Sequence, residues 1–337
     1  MNTALVVTSI GPDQLPAFEA FQEGCRTNGW QFIVVGDAKS PPDFRLHYGS
    51  YLSRERHPDL GWRLGRSIPD GNYTLKNLGY LEAIRRGSRA IVESDDDNIP
   101  TAAFWDRREP AIRAELLHNS GWVNIYSAFT AMRVWPRGLP LTRIGCAPVL
   151  SGEPRVLSAH VQQSLADGNP DVDAIYRLVG ELPITFSQRD PIALTTCYSP
   201  FNSQNTTWFE PLFPLLYLPT TCSFRMTDIW RGIIVSAWLH RWNEPIVFTR
   251  PSVFQVRNEH SLMRDFEQEI DGYLHNERIM AIALDCASAF EEGYEDDSGK
   301  YLARVYEALV GERLVEPVEL ELVNEWLLDL ADAGQRS

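Results

Sequence analysis

The chain has 337 residues, 44% hydrophobic and 11% aromatic, which is enough to bury a sizeable core and excludes global disorder. Its formal net charge of −14 argues against a general nucleic-acid binder, which needs a basic face to meet phosphates. The five cysteines (Cys25, Cys146, Cys197, Cys222 and Cys286) are widely separated and form no CxxC pair, against a disulfide framework or a structural zinc site.

The first segment, MNTALVVTSIGPDQ, has no basic n-region and reads as a buried strand over 3–10 rather than a signal peptide. Its β-branched run ending in Thr-Ser is the pattern of a central parallel strand. An amphipathic helix is predicted over 12–25, stopped by Gly29, and a second strand over 30–35. Residues 40–72 are rich in Pro, Gly, Arg and aromatics and read as a long functional loop with short helices. A helix follows over 73–86, stopped at Gly87, then a strand over 89–93 that runs into Ser94-Asp95-Asp96-Asp97-Asn98. This order predicts an α/β fold with a doubly wound, mostly parallel sheet.

Further on, short strands are predicted at 122–126 and 183–187, and helices at 156–166 and 226–241. The tail is read as helical over 261–275, 276–292, 300–310 and 316–332. No stretch reaches the roughly 18 apolar residues of a spanning helix, so a cytoplasmic protein without a membrane span is expected. Residues 1–258 carry 25 acidic and 25 basic side chains, whereas 259–337 carry 20 acidic and 6 basic. A catalytic domain over 1–258 and an acidic C-terminal helical region over 259–337 are therefore expected. That region would be a dimer interface, an acceptor platform or a cover for the sheet.

The informative local feature is IVESDDDNIP, residues 91–100. Ligands of open parallel sheets bind at the carboxyl ends of strands, and clustered carboxylates there suit a hard divalent cation. In a strand-like stretch Asp95 and Asp97 point the same way and would share Mn²⁺ or Mg²⁺, the D-x-D arrangement of nucleotide-sugar glycosyltransferases. The competing reading is a solvated acidic turn. No GxSxG, P-loop, GxGxxG, HxxxH or HxH motif is present.

The segment LKNLGYLEAIRRGSRAIVESDDDN (75–98) resembles the STELLO-type glycosyltransferase-like family. The likeness continues in WPRGLPL (135–141), QQSLADGNPDVDAIYRL (162–178), FNSQNT (201–206) and LYLPTTCSFRMTDIWRG (216–232). The family is distantly similar to the reversibly glycosylated polypeptides, which include UDP-arabinopyranose mutases. The resemblance implies a GT-A-like fold and a nucleotide-diphospho-sugar donor, and leaves the sugar and acceptor open. The plant members are membrane-anchored Golgi proteins, and with no anchor read in this sequence that location is not expected to carry over.

In such a sheet Thr8, Ser9 and Ile10 would cradle the nucleoside, and Asp37 would accept a hydrogen bond from base or ribose, or simply close a turn. Lys76 would meet a diphosphate, with Asn77, Asp96 and, more weakly, Arg66 beside it. Asp171 and Asp173 form a second acidic pair, read as an acceptor base or as a helix N-cap, and Asp228 is a further catalytic candidate. Asn202 and Gln204 offer amides to sugar hydroxyls, Arg225 and Arg231 are candidates for phosphate, and Trp230 stacks on a sugar or packs in the core.

The expected activity is metal-dependent transfer of a sugar from a nucleotide sugar to a glycan or small molecule, with a homo-oligomer left open. The alternatives are a UDP-sugar mutase and a non-catalytic transferase-like scaffold.

Overall fold

The computed structural model describes residues 1–257 and 261–335. In chain order the elements are β1 (Thr3–Thr8), α1 (Pro16–Asn28), β2 (Gln31–Val35), β3 (Ser50–Leu52), α2 (Leu64–Ser67), α3 (Lys76–Arg85), β4 (Ala90–Asp95), β5 (Asn98–Pro100), β6 (Ala111–Leu116) and β7 (Gly121–Trp122). They continue with β8 (Arg155–Ser158), β9 (Val161–Gly168), α4 (Ala174–Val179), β10 (Ile192–Leu194), β11 (Cys197–Tyr198), β12 (Asn205–Phe209), α5 (Thr227–Arg241) and β13 (Ile246–Gln255). The tail adds α6 (Leu262–Ser288), α7 (Ser298–Gly311) and α8 (Glu319–Gly334).

The main sheet has the order β3-β2-β1-β4-β12-β9-β13-β10-β6-β8, with β5 on β13. The first four strands are mutually parallel, as the β-α-β-loop-α-β reading requires. Beyond β4 the sheet is mixed: β12 runs antiparallel to both β4 and β9, while β9 and β13 are parallel. Thr8 pairs in register with Val35 and with Asp95, so β1, β2 and β4 end at one edge.

β1 is apolar on both faces because both are covered. Leu5 and Val7 pack under α1 with Phe18, Phe21, Phe32 and Phe104, while Ala4 and Val6 lie in the core shared with α3. Gly79 makes the second contact close: a Cβ there would lie 2.5 Å from Val6 Cγ1 and 2.9 Å from Val35 Cγ2. α3 therefore lies tight on the sheet, and Lys76 at its start is fully buried.

Several expectations are corrected. Residues 156–166 are not a helix but the strands β8 and β9. β9 is a central strand whose polar residues are satisfied at long range. Gln163 Oε1 accepts from Asn202 N (3.0 Å) and Thr206 Oγ1 (2.8 Å), and Gln162 Nε2 donates to Glu109 O at 2.8 Å. At 183–187 only an isolated bridge, Gly168 with Ile184, forms. At 122–126 the strand shrinks to β7, followed by a 3₁₀ turn over Ile125–Ala128. The two helices expected over 261–292 are one continuous helix, α6. The boundary expected at 258/259 lies outside the described residues.

α6 packs on α5, and α8 packs on α3 and α7. Three buried carboxylates of the tail reach back to the starts of α4 and α2 and to the 220–221 loop. Glu269 accepts from Ala174 N (2.8 Å) and Arg225 Nε (3.0 Å); Glu319 accepts from Thr220 N (2.9 Å) and Thr221 N (2.7 Å); Asp329 accepts from Leu64 N (3.1 Å) and Arg63 Nη1 (2.8 Å). Trp326 is fully buried beside Tyr217, as its helical spacing with Leu327 and Leu330 suggests.

Arg231 lies in the core rather than at a phosphate site. Its Nη1 and Nη2 each donate to Glu93 at 2.8 Å, and its guanidinium covers the Trp208 ring at 4.9 Å. Trp208 Nε1 and the Tyr80 hydroxyl donate to the same carboxylate. Arg231→Met would strand a buried Glu93, so a loss of about 3–5 kcal/mol of unfolding free energy is expected in urea titration. A loss below about 1 kcal/mol would show that the pair is not what holds α5 to β4.

Candidate functional site

β4 ends on Asp95, and the chain turns through Asp96 and Asp97 into β5. Asp95 thus closes the strand and Asp97 lies in the turn, rather than both along one strand as expected. Each carboxylate has its own support. Asp95 Oδ1 accepts from the Tyr73 hydroxyl at 3.0 Å and lies 3.4 Å from Lys76 Nζ. Asp96 Oδ2 accepts from Ser9 Oγ at 2.5 Å, and Asp97 accepts from Gln255 Nε2 at 3.0 and 3.2 Å. Burial raises all three carboxyls above their ordinary range. Asp97 is pushed up to about 7, by burial first and then by the charge on Asp95. The turn therefore holds negative charge at a cost, which a cation would relieve.

Lys76 is not free to meet a diphosphate. Its Nζ donates to the Tyr73 hydroxyl and Ser94 O, both at 2.8 Å, and to Ser203 O at 3.3 Å. Its work is to anchor the acidic turn. Asn77 is likewise structural: its amide exchanges hydrogen bonds of 3.0 Å with the Leu218 backbone in both directions.

The edge beside the turn carries the other predicted residues. Thr8 ends β1, and Ile10 is exposed beyond Ser9. Asp37 accepts from Ala38 N (2.6 Å) and Gly71 N (2.9 Å), which ties the 70–72 loop to the end of β2. Arg66 is exposed on α2, and among the described residues no hydrogen bond or ion pair holds its side chain.

Behind the turn lies a buried charge network. Ser203 Oγ pairs with the Tyr73 hydroxyl at 2.7 Å and donates to Asp228 Oδ2 at 3.1 Å. Arg137 donates to Asp228 at 3.0 and 3.1 Å and to Asp171 at 2.8 and 2.6 Å, and it also reaches Arg225 O. Asn202 Nδ2 donates to Asp171 at 2.8 Å, and Arg225 pairs with Glu269 at 2.8 Å. Burial alone would raise Asp171 and Asp228, but the charge and hydrogen bonds of Arg137 outweigh it and hold both below the carboxylate range. Such carboxylates are poor bases near neutral pH.

Asp173 is the N-cap of α4. Its Oδ1 accepts from Tyr176 N and its Oδ2 from Trp135 Nε1, both at 2.7 Å. Burial pushes its carboxyl up to about 6, but the residue has no exposed surface to offer an acceptor. None of the three expected catalytic carboxylates is therefore a free base. Arg225 is held by Glu269 at 2.8 Å and by Asp171 at 3.7 Å. Of the amides, Asn202 is locked on Asp171, and Gln204 is held through its backbone, its N donating to Asn202 Oδ1 at 3.0 Å and its O accepting from Asn98 at 2.8 Å. Trp230 is core, donating to Asn276 Oδ1 at 3.0 Å.

Residues missed by sequence reasoning are Tyr73, Arg137, Phe224, Gln255 and Arg257. Arg137 sits in the WPRGLPL block but has no charged neighbour along the chain to mark it. Phe224 is half exposed and meets Tyr73 edge-on at 5.6 Å, an uncovered ring beside the turn. Arg257 pairs with Asp265 at 2.7 Å, and its charge favours ionised Asp97.

Oxygen donors at this turn suit a hard divalent ion. Lys76 and Tyr73 both use Oδ1 of Asp95, leaving Oδ2 out of these contacts. Among the described residues no group of three His, Cys, Asp or Glu side chains forms a ready cage. The residues present fit an ion that keeps most of its shell as water and substrate oxygen.

No family model matches the chain. Over 234 residues it is 28% identical to probable glycosyltransferase STELLO1 and 29% identical to probable glycosyltransferase STELLO2, both from Arabidopsis thaliana. Each alignment covers 61% of this chain and 30% of the relative, so the chain matches under a third of the length of these proteins. The likeness to the STELLO-type glycosyltransferase-like family read from the motifs is thereby borne out. Among solved structures, a mycobacterial protein aligns with a TM-score of 0.40 at 10% identity, covering 87% of this chain and 76% of that one. M. tuberculosis glucosyl-3-phosphoglycerate synthase aligns with a TM-score of 0.38 at 12% identity, covering 87% and 82%. These two overlaps are loose. Among the described residues no helix is long and apolar enough to cross a membrane.

Proposed function

Taking the chain as a sequence relative of the STELLO-type probable glycosyltransferases, we propose that it is a GT-A-like glycosyltransferase using a nucleoside diphosphate sugar. The observation that carries this reading is the acidic turn. Three carboxylates of raised proton affinity sit where β1, β2 and β4 end together.

Asp95 and Asp97 would hold Mn²⁺ or Mg²⁺, which when bound offsets charge on the departing diphosphate. Lys76 and Tyr73 fix Asp95, Ser9 fixes Asp96 and Gln255 fixes Asp97, so the turn is set before substrate arrives. Thr8, Ser9, Ile10 and Asp37 would line the edge for the nucleoside, and exposed Arg66 would offer a cation to phosphate. Asp171 and Asp228 act as positioning residues through Arg137 and Ser203. In the reaction the bond from sugar to diphosphate breaks, an acceptor oxygen takes the sugar and loses its proton, and nucleoside diphosphate leaves.

Thermal unfolding with UDP, GDP, CDP, ADP and TDP, each with and without Mn²⁺, tests the donor half. Ligand at 100 times Kd adds about 2.7 kcal/mol to the native state, a rise of a few degrees. One nucleotide should stabilise the chain, and only with metal. No shift for any nucleotide with Mn²⁺ would sink the reading.

Phe224 would stack on the base or sugar. Phe224→Ala should weaken the bound nucleotide or sugar about tenfold, the scale of aromatic stacking, while the free protein melts within about a degree of wild type. Unchanged affinity would remove Phe224 from the site.

A further inference from the structure

On the face of the sheet that α1 covers at β1 and β2, a second cavity opens over β9, β12 and β13. Its volume is about 270 Å³, just under the roughly 300–1,000 Å³ of small-molecule pockets, which suits a monosaccharide rather than a dinucleotide. Its floor is unusual. The interior of an α/β sheet is ordinarily apolar on both faces. Here paired strand positions are Thr207 with Gln162, and Ser164 with Thr249, and all four line the cavity. β13 also breaks register with β9 between Thr249 and Val253, which turns Ser252 and Arg250 to the wall. Bulges of this kind recur beside binding sites.

The wall carries Arg108, a cation that makes no ion pair, the neighbouring Asp106 favouring its charge but pairing with Arg250 at 3.2 Å. Arg108 donates to two backbone carbonyls, Asp106 O at 2.9 Å and Phe104 O at 2.6 Å, and its Nε is buried with no partner. Its guanidinium is held by ring faces, 5.3 Å from Trp30 and 5.6 Å from Phe104. Burial lowers it to about 10. Arg189, on another wall, also has a buried unpartnered Nε, although it pairs with Glu115 at 2.9 Å. A half-buried guanidinium with no directly bonded anion is costly, and a planar oxyanion is what its fork fits.

We propose that this cavity binds an anionic sugar. Arg108 takes the phosphate or carboxylate, and Gln162, Ser164, Thr207 and Thr249 meet the hydroxyls. The site shares no residue with the acidic turn, so it does not depend on the donor reading.

Isothermal titration of the full chain with glucose 6-phosphate, glucuronate, glucose and inorganic phosphate tests it. Glucose 6-phosphate or glucuronate should bind saturably and more tightly than glucose or phosphate, and the better of the two identifies the anion class. Arg108→Gln should weaken that binding at least tenfold. Thr207→Val, nearly isosteric, should weaken it several-fold and serves where Arg108→Gln does not fold. UDP with Mn²⁺ should leave the titration unchanged. Binding of neither anionic sugar overturns the proposal. So does inorganic phosphate binding as tightly as glucose 6-phosphate, or wild-type affinity in folded variants.

Discussion

Replacing Asp97 by alanine is expected to cut sugar transfer by at least about 10³-fold while leaving the protein as stable as wild type or more so. On the proposed function the activity loss follows from removing one of the two carboxylates that would hold the metal, since a Lewis-acid ion supplies several kcal/mol of charge stabilisation. The stability gain follows from the turn itself. Burial and the charge on Asp95 push Asp97 up to about 7. Its folded proton affinity thus exceeds its unfolded value near 4, so the ionised side chain costs stability once pH rises through that window. At pH 8 the variant loses this cost, although Gln255 Nε2 gives up its partner. Calorimetry at pH 8 beside a transfer assay reads both. An active variant that still needs Mn²⁺ would move the metal elsewhere. An inactive variant that melts far below wild type would make the turn structural.

The second large effect is expected at Arg137, which joins Asp171 and Asp228 inside the protein. Arg137→Leu keeps the bulk and strands two buried carboxylates, a loss of about 3–5 kcal/mol. The pH dependence carries the signature. In wild type both carboxyls are held low, so their contribution is complete above the unfolded value near 4 and is lost only as pH falls through the folded one. Without Arg137 burial and the charge on Asp171 raise Asp228, while Arg225 at 3.7 Å and Arg177 still favour ionised Asp171. The variant should therefore be weakest relative to wild type near pH 7, with the gap narrowing as pH approaches about 4 and the carboxylates neutralise. Denaturant midpoints at pH 7, 5.5 and 4 measure it. A gap that is constant with pH would mean that Arg137 stabilises by packing alone.

These two sites differ in how far they were legible in the sequence. The acidic turn was visible because an apolar strand, buried on both faces, ran into consecutive aspartates. Gly29, with φ of 66°, and Gly87, with φ of 73°, marked helix ends by conformations that favour glycine. The cap at Asp173 was also local, and it was one of the two readings considered there. Arg137 was not legible, because its partners lie 34 and 91 residues away. β9 was misread for the same reason: its glutamines look like a helix surface until Glu109, Asn202 and Thr206 are brought to them by the fold. Lys76 stood out as one of three lysines, yet neither its burial nor its four acceptors could be read along the chain.

The acidic tail has a consequence that its charge count hides. Glu269, Glu319 and Asp329 are pegs in sockets of backbone N–H groups belonging to residues 174, 220–221 and 64. Those segments complete their hydrogen bonding with oxygen borrowed from 95 to 265 residues away. A version of the sheet that ended before α6 would keep every strand and every aspartate of the turn. It would still have orphaned donors at the starts of α2 and α4 and in the 220–221 loop, and an Arg225 left with only Asp171 at 3.7 Å. The tail is thus less an appendage than the missing half of those segments.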